Sequence, residues 1–327
     1  MTVAILGGAG YIGSHVVKFL RGQGVPLVVY DNLSQGHREA VLDTPLVVGD
    51  IGDSERLGDC LKRHQVKAVM DFAALIAVGE SVKDPARYYA CNVGQTLDML
   101  DTLLTHGVRD FVFSSTCAIY GMPRALPLTE DHPTDPINPY GRTKLAIEHA
   151  LADYSRAYDF RYVSMRYFNA SGADPGGELG EDHQPETHLI PLLLDAVLGR
   201  RQALDIFGTD YDTPDGTCVR DYIHVWDLAQ AHWLALQWLR ETARSEAFNL
   251  GNGAGHSVKE VVASAERVTG RPVPVRLCPR REGDPPVLIG SSARAITSLG
   301  WQPIYADLDA ILSTAWNWQR KWIAQSH

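Results

Sequence analysis

The segment Gly7-Gly8-Ala9-Gly10-Tyr11-Ile12-Gly13 constrains this chain more than any other. It follows an apolar, strand-like run, Val3–Leu6, and opens a stretch where Ile12, Val16, Val17 and Leu20 recur at helical spacing. Gly7, Gly10 and Gly13 read G-x-x-G-x-x-G. A chain turning this tightly from strand to helix needs residues without a Cβ. Such a turn also lets a pyrophosphate approach the backbone, where the helix N-terminus offers N–H groups and a positive dipole end. Asp31 ends the second strand-like run, close to the ~20 residues past the last glycine at which an acid meets an adenosine ribose. A carboxylate there accepts from the ribose hydroxyls and repels a 2′-phosphate, so NAD is expected rather than NADP. A structural turn beside an exposed Asp is the plainer alternative.

The first half keeps one rhythm. Strand candidates are Val3–Leu6, Leu27–Tyr30, Pro45–Val48, Ala68–Phe72, Phe111–Ser114 and Tyr162–Met165, with helical patterns between them. Alternation of this kind argues for βαβ units and an α/β fold: a Rossmann-type, doubly wound parallel sheet. The rhythm breaks after about Asn169, where a Gly-, Pro- and acid-rich loop runs from Ser171 to Glu186. The 327 residues then divide into a dinucleotide domain, 1–170, and a smaller C-terminal α/β substrate domain, 171–327, with some segments returning to the first. Trp316, Trp318 and Trp322 read as packing residues of a last helix.

Composition excludes more than it assigns. Thirty Lys and Arg against 39 Asp and Glu leave a net charge of −9, which disfavours a nucleic-acid polymer as partner. Cys60, Cys91, Cys117, Cys218 and Cys278 are odd in number and widely spaced. They suit free thiols in a reducing cytoplasm better than disulfides or zinc, and no metal is expected. No 18-residue apolar run and no secretory leader pattern is present, so no membrane association is expected.

Asn138-Pro139-Tyr140-Gly141-Arg142-Thr143-Lys144 opens a long helical stretch, 138–158, with Asn138 suited to the N-cap and Pro139 to the first turn. Tyr140 and Lys144 then share a face. A phenol of pKa ≈ 10 is a poor base at neutral pH, and a nearby ammonium favours the phenolate. Tyr140 so tuned takes a proton from an alcohol while hydride leaves the same carbon. Alone, Tyr-x-x-x-Lys is a common pattern. Beside the glycine turn and Asp31 it becomes specific.

With these residues the chain resembles the extended short-chain dehydrogenase/reductase superfamily, and within it the UDP-glucose 4-epimerase branch. The similar segments are Gly7–Gly13, Asp31–Leu33, Gly49–Ile51, Phe72–Ser81, Phe113–Gly121, Pro139–Lys144, Arg166–Asn169, Asp215–Val225, Asn249–Gly251 and Arg280–Asp284. The resemblance implies a bound NAD that takes hydride from sugar C4 and returns it to the other face of a 4-keto sugar. It implies Tyr140 as base, Lys144 on the nicotinamide ribose and Thr116 on the sugar 4-oxygen. It places Gly7, Gly10, Tyr11, Ile12, Gly13, Asp31, Asn32, Asp50, Ile51, Phe72, Ala73, Ala74, Asn92, Ser114, Tyr140, Lys144 and Tyr167 around the cofactor. It places Thr116, Asn169, His188, Leu189, Phe207, Arg220, Arg281, Asp284 and Leu288 around a UDP-sugar, with both arginines on its diphosphate and Phe207 on the uracil.

Related dehydratases and decarboxylases carry an acid after this Thr. Cys117 and Ala118 stand here instead, which favours hydride out and back. The chain departs from the branch at Ile76, where a Lys is frequent, at Gly94, one place earlier than usual, and at His188, where Asn is common. Leu288 stands where a bulky Tyr excludes N-acetylhexosamines, so some turnover of UDP-GlcNAc and UDP-GalNAc is expected. A 4-epimerase of UDP-glucuronate or a UDP-pentose, and a non-catalytic NAD-binding protein, are the alternatives. The resemblance also implies a homodimer, through helices including Pro85–Leu104 and the Tyr140 helix.

Overall fold

β-Branched and aromatic residues suit a buried, pleated surface, and each apolar run of the first half forms a strand. The computed structural model describes residues 1–281 and 283–325, the last four as backbone alone. Its first strands are β1 (Thr2–Leu6), β2 (Leu27–Asp31), β3 (Leu46–Val48), β4 (Val66–Asp71), β5 (Asp110–Thr116) and β6 (Arg161–Tyr167). Between them lie α1 (Tyr11–Gly22), α2 (Ser54–Arg63), α3 (Val78–Lys83), α4 (Pro85–Tyr89), α5 (Thr96–Thr105) and α6 (Pro139–Tyr158). A π-helical turn, Ala90–Gln95, joins α4 to α5 and contains Asn92 and Gly94.

The second half contributes β7 (Asn169–Ser171), α7 (Leu189–Val197), β8 (Leu204–Phe207), β9 (Val219–Arg220), β10 (Tyr222–His224) and α8 (Val225–Thr242). It continues with β11 (Glu246–Leu250), β12 (His256–Ser257), α9 (Val258–Thr269), β13 (Val275–Cys278), β14 (Val287–Leu288), α10 (Ala293–Leu299) and α11 (Leu308–Gln325).

The main sheet has seven strands in the order β11-β6-β5-β4-β1-β2-β3, every pair parallel. It is a doubly wound α/β sheet whose order reverses between β1 and β4. Ligands of such sheets bind outside the strand C-termini at that reversal. Segments beyond residue 170 return to this layer: β11 pairs with β6, and Leu228, Leu236 and Leu239 of α8 share a core with Val16, Val17 and Leu20 of α1. The other face buries Leu57, Leu61, Met99, Leu100, Leu103, Ile147 and Leu151.

Three small sheets, β10-β7, β12-β9-β14 and β13-β8, carry the remaining strands of the second half. Its core gathers Leu193, Leu194, Leu204, Ile206, Ile311, Leu312 and Trp316. Trp316 is thus a packing residue, and a Cβ on Gly180 would meet the Trp318 ring at 2.1 Å. The Trp322 side chain and Glu282 lie outside the described residues.

Candidate active site

The strand-to-helix turn shows why glycines stand where they do. Gly7 has φ +70°, and a Cβ there would meet Ala73 N at 2.6 Å. On Gly13 a Cβ would lie 2.2 Å from the Gly7 carbonyl oxygen. Both glycines are demanded by the chain's own packing. Gly10 differs: its Cβ would meet only that same carbonyl, at 3.4 Å. Space stays open beside Gly10, the N-cap of α1, as an approaching pyrophosphate requires.

Asp31 is buried rather than exposed. Its carboxylate accepts from Ala9 N–H at 2.9 Å and from Leu33 N–H at 2.8 Å, so it also ties the glycine turn to β2. Asn32 Nδ2 donates to Asp50 Oδ2 at 3.1 Å, and Ile51 beside it is buried. These groups line the side of the cleft beyond β2. Across the reversal, Phe72, Ala73 and Ala74 leave β4, and Asp71 Oδ1 accepts from Ala73 N–H at 3.0 Å. Asn92 holds the next residue, accepting from Leu75 N–H and donating to Leu75 O, both at 2.9 Å. Ile76 is 43% exposed and offers no cation there.

Local rules build the start of α6. Asn138 caps it by accepting from Gly141 N–H at 2.9 Å, and Pro139 takes the first turn. Tyr140 and Lys144 follow one turn apart, facing the end of β5. Lys144 is 4% exposed. Its Nζ donates to Ser114 O at 2.8 Å and sits 4.8 Å from the Phe113 ring centroid. The hydroxyls of Ser114 and Tyr167 pair, which places Tyr167 beside the same strand end. Thr116 Oγ1 accepts from Ala118 N–H at 3.1 Å.

The electrostatics differ from the simple expectation. Burial pushes the Tyr140 phenol up to about 12, with its hydrogen bond to Thr116 opposing and Cys117 adding to the rise. Lys144 is not the group that offsets this burial; its ammonium is committed to Ser114 O and faces acids instead. Burial lowers Lys144 to about 8, against the pull of Asp71 and Glu148. Asp71 itself is raised by burial to about 6, with Lys144 and the Ala73 N–H opposing.

On the substrate side, one carboxylate joins both expected diphosphate cations. Asp284 lies 2.9 Å from Arg281 Nε and 3.7 Å from Arg220 Nη2. The Arg281 guanidinium stacks 4.9 Å from the Phe207 ring centroid. Leu288 pairs in register with Arg220 and packs on the cluster of Cys117, Ile119, Tyr120, Leu128 and Phe168. That cluster adjoins Thr116, so Leu288 links the two halves at the sheet edge. Asn169 Nδ2 donates to Asp221 O at 2.8 Å. Leu189 opens α7 and packs partly buried on the second core, and His188 binds the buried Glu181 through Nδ1.

Several residues of the site have no counterpart in the sequence reading. Glu148 follows Lys144 by one further turn on the Tyr140 face. Its carboxylate accepts from Ser115 Oγ at 2.5 Å and from Arg166 Nη2 at 2.6 Å, while Arg166 Nη1 donates to the Tyr120 hydroxyl at 3.0 Å. This buried pair fixes α6 against β5 and β6 behind Thr116 and Lys144. An acid on the buried stripe of α6 was the available signal. Asp221 accepts from the N–H groups of Asn252, Gly253 and Gly290 and so closes the second half behind Arg220.

Known proteins match this chain over its whole length. The NAD dependent epimerase/dehydratase family matches residues 3–251. UDP-glucose 4-epimerase of Rhizobium leguminosarum bv. trifolii is 53% identical over 320 residues, 98% of each chain. The structure of UDP-glucose 4-epimerase from Brucella ovis in complex with NAD superposes with a TM-score of 0.94 at 54% identity, covering 96% of this chain and 97% of that one. The UDP-Glc/GlcNAc 4-epimerase of Campylobacter jejuni gives 0.86 at 41% identity, covering 98% and 99%.

Proposed function

This chain belongs to the NAD dependent epimerase/dehydratase family, and from that premise we propose that it interconverts UDP-glucose and UDP-galactose by epimerisation at C4. One observation carries the reading: a chain 53% identical from end to end to a UDP-glucose 4-epimerase keeps Tyr140, Lys144 and Thr116 at one sheet edge. The protein is an isomerase that uses NAD. When bound, NAD supplies the acceptance and return of hydride at C4. Gly7 and Gly13 shape the turn and Gly10 leaves the space through which its pyrophosphate would reach the backbone, Asp31 would meet its adenosine ribose, and Lys144 its nicotinamide ribose.

The chain's own residues do the rest. Thr116 holds the sugar 4-oxygen beside Tyr140. Tyr140 takes the hydroxyl proton as the ketone forms and gives it back on reduction. Because the free phenol sits at about 12, it needs a cation in contact to ionise at neutral pH. Lys144 is committed to Ser114 O and faces Asp71 and Glu148, so the oxidised nicotinamide ring would supply that positive charge when NAD is bound. Arg220 and Arg281, held by Asp284, take the diphosphate, and Phe207 packs on the base. Asn169, His188 and Leu189 complete the sugar-nucleotide pocket. Residues 1–170, joined by α8 and β11, form the cofactor half, and the remainder of 171–327 the substrate half. Turnover of UDP-glucose without added cofactor tests the reading. Tyr140→Phe lowers kcat at least about 100-fold if Tyr140 is the acid–base group; a smaller loss removes that role.

Leu288 favours a wider substrate range, since its side chain is smaller than a Tyr and packs on the cluster that includes Phe168 and Cys117. The Campylobacter relative bears a name that includes GlcNAc. Wild type turns over UDP-GlcNAc and Leu288→Tyr reduces this at least about tenfold while sparing UDP-glucose; an inactive wild type refutes the assignment. A homodimer through α4 to α6 is supported by exposed Tyr89 and Tyr158 on these helices, and light scattering that returns a monomer refutes it. Five free cysteines fit a cytoplasmic location. Among the described residues no helix is long and apolar enough to cross a membrane.

A further inference from the structure

We propose that Glu181, His183, Glu186 and His188 bind a divalent transition-metal ion of the zinc, cobalt and nickel class, which fastens segment 172–188 over the glycine turn. The sequence reading expected no metal. The four donors come from an irregular loop with no C-x-x-C or H-E-x-x-H spacing to announce them.

The donors already converge. One ligand atom from each residue lies within 4.8 Å of all the others. Glu181 Oε1 is the hub: His183 Nδ1 stands 3.3 Å away, and His188 Nδ1 contacts it directly. His183 Nδ1 is 3.8 Å from Glu186 Oε2. Bonds of about 2.0–2.2 Å to nitrogen and oxygen put the donors of one ion roughly 3–4 Å apart. The donors, now within 4.8 Å of one another, close on such a sphere by side-chain adjustment.

The chemistry selects the class of ion. Two imidazoles with two carboxylates form a mixed N/O set, which suits zinc and its neighbours; calcium and magnesium prefer oxygen alone. Charge argues the same way. With neutral imidazoles the site holds two carboxylates, and one dication neutralises both. Glu181, the hub of the set, is buried.

The position suggests what the ion does. The Tyr11 ring, first in α1, lies 6.2 Å from the His183 ring, and its hydroxyl donates to Gly172 O at 2.7 Å. His37 Nε2, beyond β2, pairs with Asp182 Oδ2 at 3.2 Å. The segment therefore runs along the edge of the cofactor cleft, with the four donors at its clasp.

The test uses the full-length protein, stripped with a chelator and titrated with Co(II). One Co(II) per chain is expected, with visible d–d absorption that Zn(II) displaces. His183→Asn and Glu186→Gln, made separately, each weaken uptake at least about tenfold. Zn(II) slows diethyl pyrocarbonate modification of His183 and His188 in wild type, read by mass spectrometry, which needs no variant. Absence of uptake by wild type, uptake by both variants equal to that of wild type, or unchanged modification rates overturns the site. Any of those results leaves the cluster as an imidazolium–carboxylate network.

Discussion

Glu148→Gln removes one charge and keeps the side-chain shape. In the folded chain Glu148 receives Arg166 Nε at 3.0 Å, Arg166 Nη2 at 2.6 Å and Ser115 Oγ at 2.5 Å. The Glu148 and Arg166 side chains are 7% and 11% exposed, so solvent does not take over when the carboxylate is lost. Breaking a buried pair from one side costs about 3–5 kcal/mol, because the other charge stays buried. Glutamine still accepts one hydrogen bond, which places the cost near about 3 kcal/mol. Unfolding entropy of about 2.1 cal/mol/K per residue makes this a fall of about 4 °C in Tm for 327 residues. Calorimetry on the NAD-loaded protein measures it. Arg166→Met in the Glu148→Gln background then costs at least about 1 kcal/mol less than in wild type. A fall under about 1 °C, or additive double-variant values, refutes the view that this pair sets α6 against the sheet.

The pair also feeds the catalytic charge, because Glu148 and Asp71 both hold Lys144 above the value burial alone would impose. Lys144 keeps its proton below about 8 and loses it above, so kcat falls on the alkaline side; Asp71→Asn moves that limb to lower pH, and an unmoved limb in a kcat profile from about pH 6 to 10 refutes the coupling. Gly13→Ala drives a Cβ to 2.2 Å from a backbone oxygen and costs both Tm and bound NAD. Gly10→Ala meets that oxygen only at 3.4 Å, so it keeps Tm within about 2 °C and loosens NAD; equal losses in Tm for the two variants refute the division between packing and ligand space.

Much of the fold was legible because its signals are local. Val3–Leu6 and Leu27–Tyr30 are strands since adjacent apolar residues bury both faces of a parallel sheet. Asn138 and Pro139 announced α6 through capping, which needs only neighbouring residues. The strand that the segment beyond residue 170 adds to the main sheet carries a weaker local signal. Glu246–Leu250 is short and flanked by polar residues, and only its pairing with β6 shows that it belongs to the first sheet. The site divides the same way. Tyr140 and Lys144 were readable from spacing, whereas the acids that set the Lys144 charge come from β4 and from a further turn of α6.

The sequence by itself determined the parallel α/β class, the glycine turn that excludes side chains, and a Tyr and Lys on one helical face. Each follows from the chain's period or from steric limits within a few residues. Only the tertiary structure decided that burial drives Tyr140 and Lys144 in opposite directions, that Asp284 joins Arg220 to Arg281, and that two histidines converge on Glu181. Burial and pairing of charges depend on which distant segments the sheet order brings together, and no local pattern carries that information.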